Sequence, residues 1–383
     1  MSYYFDYGAT SLKKPESVAK KIYEILSSGK YASPSRGSYR EAKNAFSEIY
    51  KSRKTVADFF GLSDEKYLIF TGNSTEALNV AIKGILKKGD HVITTKMEHN
   101  SVLRPIYQLS IEKEIEYTVV DSDSDGIVLY DAIEKHIKSN TVLLVITHSS
   151  NVTGNITDIG RVSKICKKHG ILILVDGSQT AGVIDINIEK SGIDVYCFTG
   201  HKSLFGPQGT GGLCIGNRNV EIAAYNVGGS GIKSFDEEHP SEYPVRLEAG
   251  TYNMPGIAGL AEGIRYIKEQ GIENLYKKQL DFADKFYNEL KELKYLEFYG
   301  NFKKMRTAIV SFNFKGVPSA DVAEVLEEKY NIAVRAGTHC SPLMHKHFGT
   351  EKQGMVRFSF SSMNTEDEVI YAINAIKEIA ENI

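Results

Sequence analysis

The chain has 383 residues, with 46 lysines and arginines against 48 aspartates and glutamates and no tryptophan. So even a balance creates no field that would steer the protein to nucleic acid or an anionic membrane, and no apolar run approaches the about 20 residues of a spanning helix. The length is too great for one core and implies two domains. The four cysteines lie far apart with no CxxC pair, so neither a disulfide framework nor a metal site is expected. The opening MSYYFDYGATS lacks the basic-then-apolar form of an export signal, and a cytoplasmic location is expected.

In chain order, YYFDYGATS is an extended strip, followed by a helix that Pro15 can start. A polar, turn-rich stretch over residues 30–46 leads into a second helix. From Tyr67 onward short apolar runs (YLIF, HVITT, IEYTVV, TVLLVIT, ILILVD) alternate with segments of helical periodicity such as STEALNVAIKGILKK. That alternation predicts an α/β fold, helices packed on a mostly parallel sheet, with sites at the carboxyl ends of the strands.

Each strand end carries polar residues. In TGNSTEALN, Gly72 and Asn73 make a turn and Ser74 or Thr75 can cap the next helix, whose free first-turn amides suit a phosphate. Glu98-His99-Asn100 follows HVITTKM, and His148-Ser149-Ser150-Asn151 follows the third run. Asp176 ends the buried run ILILVD, with Gln179 three residues on; a carboxylate there is costly unless it meets a cation. Lys202 stands where VYCF gives way to Thr199-Gly200-His201-Lys202 and a glycine-rich turn, a setting that suits a rigidly held, partly desolvated amine. Pyridoxal phosphate joins the two observations: its protonated ring nitrogen pairs with an aspartate and its aldehyde carbon with a lysine.

Residues 216–256 form a long polar, glycine-rich connection, and loops of this length carry function or disorder. Two long helical patterns then precede four candidate strands, YLEFYG, TAIVSFNFKG, IAVRAG and GMVRFSFS, and a last helix opened by the capping box Thr365-Glu366-Asp367-Glu368. In GMVRFSFS, Val356, Phe358 and Phe360 share a face, so Arg357 points to the other; its planar fork suits a carboxylate, and the ordinary alternative is a surface ion pair. Cys166, Cys197 and Cys214 fall in regular elements as inert thiols, whereas Cys340 sits in a short polar loop near Arg335, His339 and His345, neighbours that favour a thiolate.

The motifs FDYGATS, TGNSTEALN, MEHNSVLRP, HSSNVTG, VDGSQTAG, FTGHK, RLEAGTYN, RAGTHCSPL and MVRFSFSSMNTEDE span nearly the whole chain. In this order they resemble the class V aminotransferase group of pyridoxal phosphate enzymes, and within it the cysteine desulfurases of the NifS and SufS type. The resemblance implies the fold type I architecture of pyridoxal-phosphate-dependent transferases: an N-terminal arm (1–14) associated with the small domain, a large cofactor-binding domain (15–255) and a small α+β domain (256–383).

It further implies Lys202 and Asp176 at the two ends of the cofactor ring, with Gln179 also at the cofactor. His99 would stack on the ring and help in proton transfer, and Ser74, Thr75, Thr199 and His201 would hold the phosphate. Asn151 would bond the cofactor's phenolic oxygen and the substrate. Gly250 and Thr251 would donate to the phosphate of a neighbouring subunit in a homodimer. Arg357 would take the substrate carboxylate, with Arg335 as the weaker candidate and Ala9 at the mouth. The family's histidine two residues after Arg36-Gly37 is Tyr39 here, and its role is not carried over. Cys340 would be the reactive thiol, and the short RxGxHC form resembles the SufS-like branch.

The implied reaction takes L-cysteine to L-alanine and leaves the sulfur as a persulfide on Cys340, for a protein acceptor of the SufE or SufU kind or a scaffold serving iron-sulfur or thio-cofactor synthesis. A selenocysteine lyase, another class V lyase or aminotransferase, and a non-catalytic assembly subunit are the alternatives.

Overall fold

A computed structural model describes residues 3–34 and 37–381; Arg36 lies outside the described residues. The strands are β1 (Tyr3–Tyr4), β2 (Leu68–Thr71), β3 (His91–Thr95), β4 (Glu116–Val120), β5 (Thr141–Thr147), β6 (Leu172–Asp176), β7 (Val195–Thr199), β8 (Gly211–Ile215), β9 (Leu296–Tyr299), β10 (Ile309–Phe314), β11 (Ile332–Ala333), β12 (Arg335–Gly337) and β13 (Met355–Ser359).

Seven of them form one sheet in the order β2-β8-β7-β6-β5-β3-β4. Strands β3 to β7 are mutually parallel, and β8 runs antiparallel to both β7 and β2. The near-continuous apolar runs have a simple cause, since side chains alternate between two buried faces. Leu144, Ile146, Ile173, Val175, Tyr196 and Phe198 enter one core, while Leu143, Val145, Leu174, Val195 and Cys197 enter the other. Helices Ser74–Ile85 and Asn100–Glu112 cover the second face. In β8, Gly211 and Gly212 leave room that a side chain would fill: a Cβ on Gly211 would lie 2.7 Å from the Asn73 backbone. The bare strand lets the turn before helix Ser74–Ile85 sit against the sheet edge.

A second, four-stranded antiparallel sheet, β12-β13-β10-β9, has its own core, in which Phe286, Phe312, Phe314 and Phe358 pack with Val369, Ile373 and Ile376 of the last helix. That helix starts with the reciprocal box read from the sequence: Glu368 N–H donates to Thr365 Oγ1 at 3.3 Å and Thr365 N–H to the Glu368 carboxylate at 3.1 Å. The candidate strand IAVRAG is divided at Val334 into β11, which pairs with β1, and β12, which pairs with β13. The arm thereby joins the smaller unit, with Phe5 in its core.

Helix Met254–Gln270 packs on helices Glu16–Ser27 and Arg40–Phe59, and its Ile257, Leu260, Ile264 and Ile267 join the large-sheet core. We therefore propose that the large unit continues to about Gly271, beyond the boundary at 256 expected from sequence. Among the described residues no helix is long and apolar enough to cross a membrane.

Candidate active site

The ends of β2, β3, β5, β6 and β7 converge on one cavity of about 230 Å³. Its wall includes Ala9, Ser74, Thr75, His99, Asn151, Asp176, Gln179, Thr199, His201, Lys202 and Arg335. Nearly every candidate from the sequence is brought together here. Arg357, Cys340, Gly250 and Thr251 are not part of that wall.

Lys202 follows β7 through the turn Gly200-His201, and the arm clasps that turn. Ser11 N–H donates to the His201 carbonyl at 2.9 Å, and His201 Nδ1 meets Thr10 Oγ1 at 3.0 Å. Removal from water, opposed by the Asp176 carboxylate and aided by the positive Arg357 and Arg335, lowers Lys202 to about 8. A lysine so displaced has a sizeable neutral fraction near neutral pH, which a nucleophile or base requires.

Asp176, the last residue of β6, is buried and receives hydrogen bonds from Ser178 N–H at 3.0 Å, from Ser178 Oγ and, at 3.4 Å, from Ser74 Oγ. Ser178 was not foreseen; a serine two residues after an aspartate at a strand end is the signal that was available.

The sequence pointed to Ser74 or Thr75 as the helix cap, and the structure corrects this. The helix begins one residue earlier in register, so Asn73 is the cap and its Oδ1 accepts from Glu76 N–H at 2.9 Å. The hydroxyls of Ser74 and Thr75 are released to other partners, Ser178 Oγ at 2.8 Å and Ser101 Oγ at 2.8 Å.

His99 in turn caps helix Asn100–Glu112: its Nδ1 accepts from Ser101 N–H at 3.0 Å and sits 2.8 Å from Ser101 Oγ. With Nδ1 an acceptor, Nε2 carries the proton of the neutral ring. Burial, only partly opposed by Asp176, lowers His99 to about 4, so the ring is neutral at ordinary pH. Its neighbour Glu98 is fully buried; Oε1 accepts from Thr95 Oγ1 at 2.6 Å and Thr147 N–H at 3.1 Å, and Oε2 has no partner among the described residues. Burial raises Glu98 to about 8.

Both polar ends of the Asn151 side chain hold the cysteine loop. Nδ2 donates to the His339 carbonyl at 2.8 Å, and Oδ1 accepts from Ser341 Oγ at 2.7 Å. From the other side Asn100 N–H donates to the Cys340 carbonyl at 2.7 Å. His339 and Cys340 both adopt left-handed backbone, with φ of 51° and 57°. Cys340 is half-buried, and its sulfur lies 4.0 Å from Nη2 of Arg335, a residue that lines the cavity. The other three cysteines are buried.

Arg335 and Arg357 face each other across β12 and β13. Arg357 is 1% exposed and lies behind the cavity wall, with Nη1 on the Asn151 carbonyl at 3.0 Å and Nη2 on Asp6 Oδ1 at 2.6 Å. The strand alternation inferred from sequence therefore holds, and Asp6 is the partner that sequence reading did not supply.

Gly250 and Thr251 are exposed and line a separate cavity with Phe46, Tyr50 and Tyr252. The turn that carries them is anchored by Glu248, which is buried, takes two bonds from Arg53 at 2.8 and 2.7 Å and accepts from Phe70 N–H at 2.6 Å.

The cavity suits pyridoxal phosphate. A hydrogen-bonded carboxylate, a neutral imidazole and an amine of lowered basicity share one wall, and the buried Thr199 hydroxyl has no partner among the described residues, leaving a donor for an anion. Asp176 would hold the ring nitrogen, His99 a ring face, Lys202 the aldehyde carbon, and Ser74, Thr75, Thr199 and His201 the phosphate. Among the described residues no cluster that could hold a metal ion is found.

Comparison with known proteins agrees with this geometry. Residues 3–371 match the family model described as aminotransferase class-V. A probable cysteine desulfurase of Pyrococcus abyssi is 33% identical over 389 residues, covering 99% of this chain and 94% of that one. A probable cysteine desulfurase of Methanothermobacter thermautotrophicus is 32% identical over 354 residues, covering 91% and 88%. The apo structure of the cysteine desulfurase from Thermococcus onnurineus NA1 superposes with a TM-score of 0.91 at 32% identity, covering 100% of this chain and 95% of that one. The chain belongs to the class-V aminotransferase family of pyridoxal phosphate enzymes, with the fold type I architecture, and the relatives it matches over most of their length are cysteine desulfurases.

Proposed function

We propose that the protein is a cysteine desulfurase that converts L-cysteine to L-alanine and passes the sulfur through Cys340. The observation that carries this is the placement of the Cys340 thiol 4.0 Å from Arg335, a residue of the cavity wall that also holds Lys202, Asp176 and His99.

Bound in this cavity, pyridoxal phosphate supplies an electrophilic carbon and a ring that accepts electrons. The chain's own groups do the rest. Arg357 fixes the substrate α-carboxylate, assisted by Arg335, with Ala9 at the mouth. Lys202, lowered to about 8, takes the proton from Cα. The protonated Nε2 of His99 stands by the substrate as a donor. Cys340 as thiolate attacks the substrate sulfur: an S–S bond forms, the Cβ–S bond breaks with its electron pair going to carbon, and carbon is protonated to give alanine. Cys340 is left as a persulfide, and an acceptor protein of the SufE or SufU kind, or a scaffold, receives the sulfur. The short RAGTHC loop supports the SufS-like branch. A cytoplasmic location belongs to the same reading.

The reading includes a homodimer in which Gly250 and Thr251 complete the phosphate site of the other subunit. Two features support this: these residues do not line their own chain's cavity, and they border a second, apolar one of about 320 Å³ beside exposed Phe46 and Tyr50.

Alanine and sulfide release from L-cysteine with reductant, compared between wild type and Cys340→Ser at matched cofactor content, is the test. Both products from the wild type and neither from the variant are expected. Equal activity of the two would make Cys340 structural and favour another class V lyase. Wild type that turns over only L-selenocysteine would favour the selenocysteine lyase.

A further inference from the structure

We propose that Asp6, on the N-terminal arm, is the residue that aims Arg357 at the substrate carboxylate; this rests on the carboxylate role given to Arg357 above. A buried guanidinium needs a fixed anion and fixed acceptors, because its long side chain otherwise loses geometry and its charge goes uncompensated. Arg357 has one of each. Asp6 takes Nη2 at 2.6 Å and the Asn151 carbonyl takes Nη1 at 3.0 Å, while the buried Nε has no partner among the described residues. Two of the five N–H groups of the fork are thus tied down, which fixes its plane, and three donors, the buried Nε–H among them, are left uncommitted by these two bonds.

Asp6 is itself held in place. Its carbonyl accepts from Ala9 N–H at 3.0 Å, Thr10 N–H at 3.3 Å and the Tyr4 hydroxyl at 3.0 Å. It bridges to Ser359, and Gly8 N–H donates to Ser359 Oγ at 2.8 Å. A Cβ on Gly8 would stand 3.2 Å from both Cζ and Nη2 of Arg357, so the bare backbone packs on the guanidinium. The same glycine's carbonyl accepts from Gln179 Nε2 at 3.1 Å. The arm thus ties Arg357, on the smaller sheet, to the turn after Asp176 on the larger one. Arg335 lies across the strand pair with the same sign of charge, and the Asp6 carboxylate offsets that repulsion.

The test is binding of L-alanine, read as a spectral change of the bound cofactor in the holoenzyme, with ethylamine as the control that lacks a carboxylate. Asp6→Ala is expected to weaken L-alanine about tenfold and Asp6→Asn less, because a charge-assisted bond is lost in the first and replaced by a neutral one in the second. Ethylamine binding is expected to stay within about twofold of wild type. L-Alanine affinity unchanged in Asp6→Ala, or equal losses for both ligands, would overturn the proposal; if Asp6→Ala does not fold, Asp6→Asn decides by the same comparison. Arg357→Gln separates the two readings. If it weakens L-alanine and the Asp6 variants do not, Asp6 has no aiming role; if it changes nothing, the carboxylate site itself is elsewhere and the proposal falls with it.

Discussion

Replacing Glu98 by glutamine should make the protein progressively more stable than wild type as pH rises. The carboxyl is fully buried, with two donors on Oε1 and none on Oε2, and its folded value is raised to about 8 against an ordinary 4.5. Between those values the unfolded chain has released the proton and the folded chain has kept it. At this group the unfolded state therefore binds fewer protons, and the contribution of Glu98 to wild-type stability falls as pH rises from 4.5 toward 8. Each pH unit in that interval is worth about 1.4 kcal/mol, so the wild type loses up to about 4 kcal/mol relative to the variant between about pH 5 and pH 8; relaxation around the group brings the expected value to about 2 kcal/mol. Glutamine keeps the acceptor for Thr95 and Thr147, places an amide where Oε2 stood, and has no proton to lose. The assay is urea unfolding of both holoenzymes over a pH series, with the midpoint difference plotted against pH. A constant offset between the two curves would refute the reasoning, because it would mean that Glu98 titrates alike in the folded and unfolded chains.

Arg53→Ala should destabilise by about 3–5 kcal/mol, since it leaves the Glu248 carboxylate buried without its cation. Urea unfolding measures this, and a change under about 1 kcal/mol would count against the pair as the anchor of the turn carrying Gly250 and Thr251. Acid should also be destabilising. His99, His148 and His201 are lowered by burial to about 4 from 6.5, so their contribution is complete above 6.5 and is lost as pH falls from 6.5 through 4. Thermal unfolding between those values should show the fall, and His148→Gln should flatten part of it; an unchanged slope would place the acid sensitivity elsewhere.

The large sheet was legible because its central strands are buried on both faces, which leaves continuous apolar runs such as LILVD, and because several of those runs end in polar residues that line the cavity. Arg357's direction was legible from period-two alternation with Val356 and Phe358. Long-range pairing was not. Asp6 and Arg357 are 351 positions apart and Glu248 and Arg53 are 195 apart, and nothing in the local pattern of either pair names its partner. The cap at Asn73 was missed because asparagine, serine and threonine all serve as caps and three stand in a row. IAVRAG reads as one strand by periodicity, yet its two halves pair with different neighbours, a choice made by tertiary contacts.

The loop bearing Cys340 is gripped from three directions, by both ends of Asn151 and by the amide of Asn100, and two of its residues hold left-handed backbone that only such bracing maintains. A tether of this kind does not swing. In the proposed reaction the sulfur atom would be handed over where it was received, and the burden of travel would fall on the recipient, whose own thiol must reach the rim of the cavity. A recipient with a projecting, narrow cysteine-bearing tip fits that geometry, and one whose thiol lies flush with a broad surface does not.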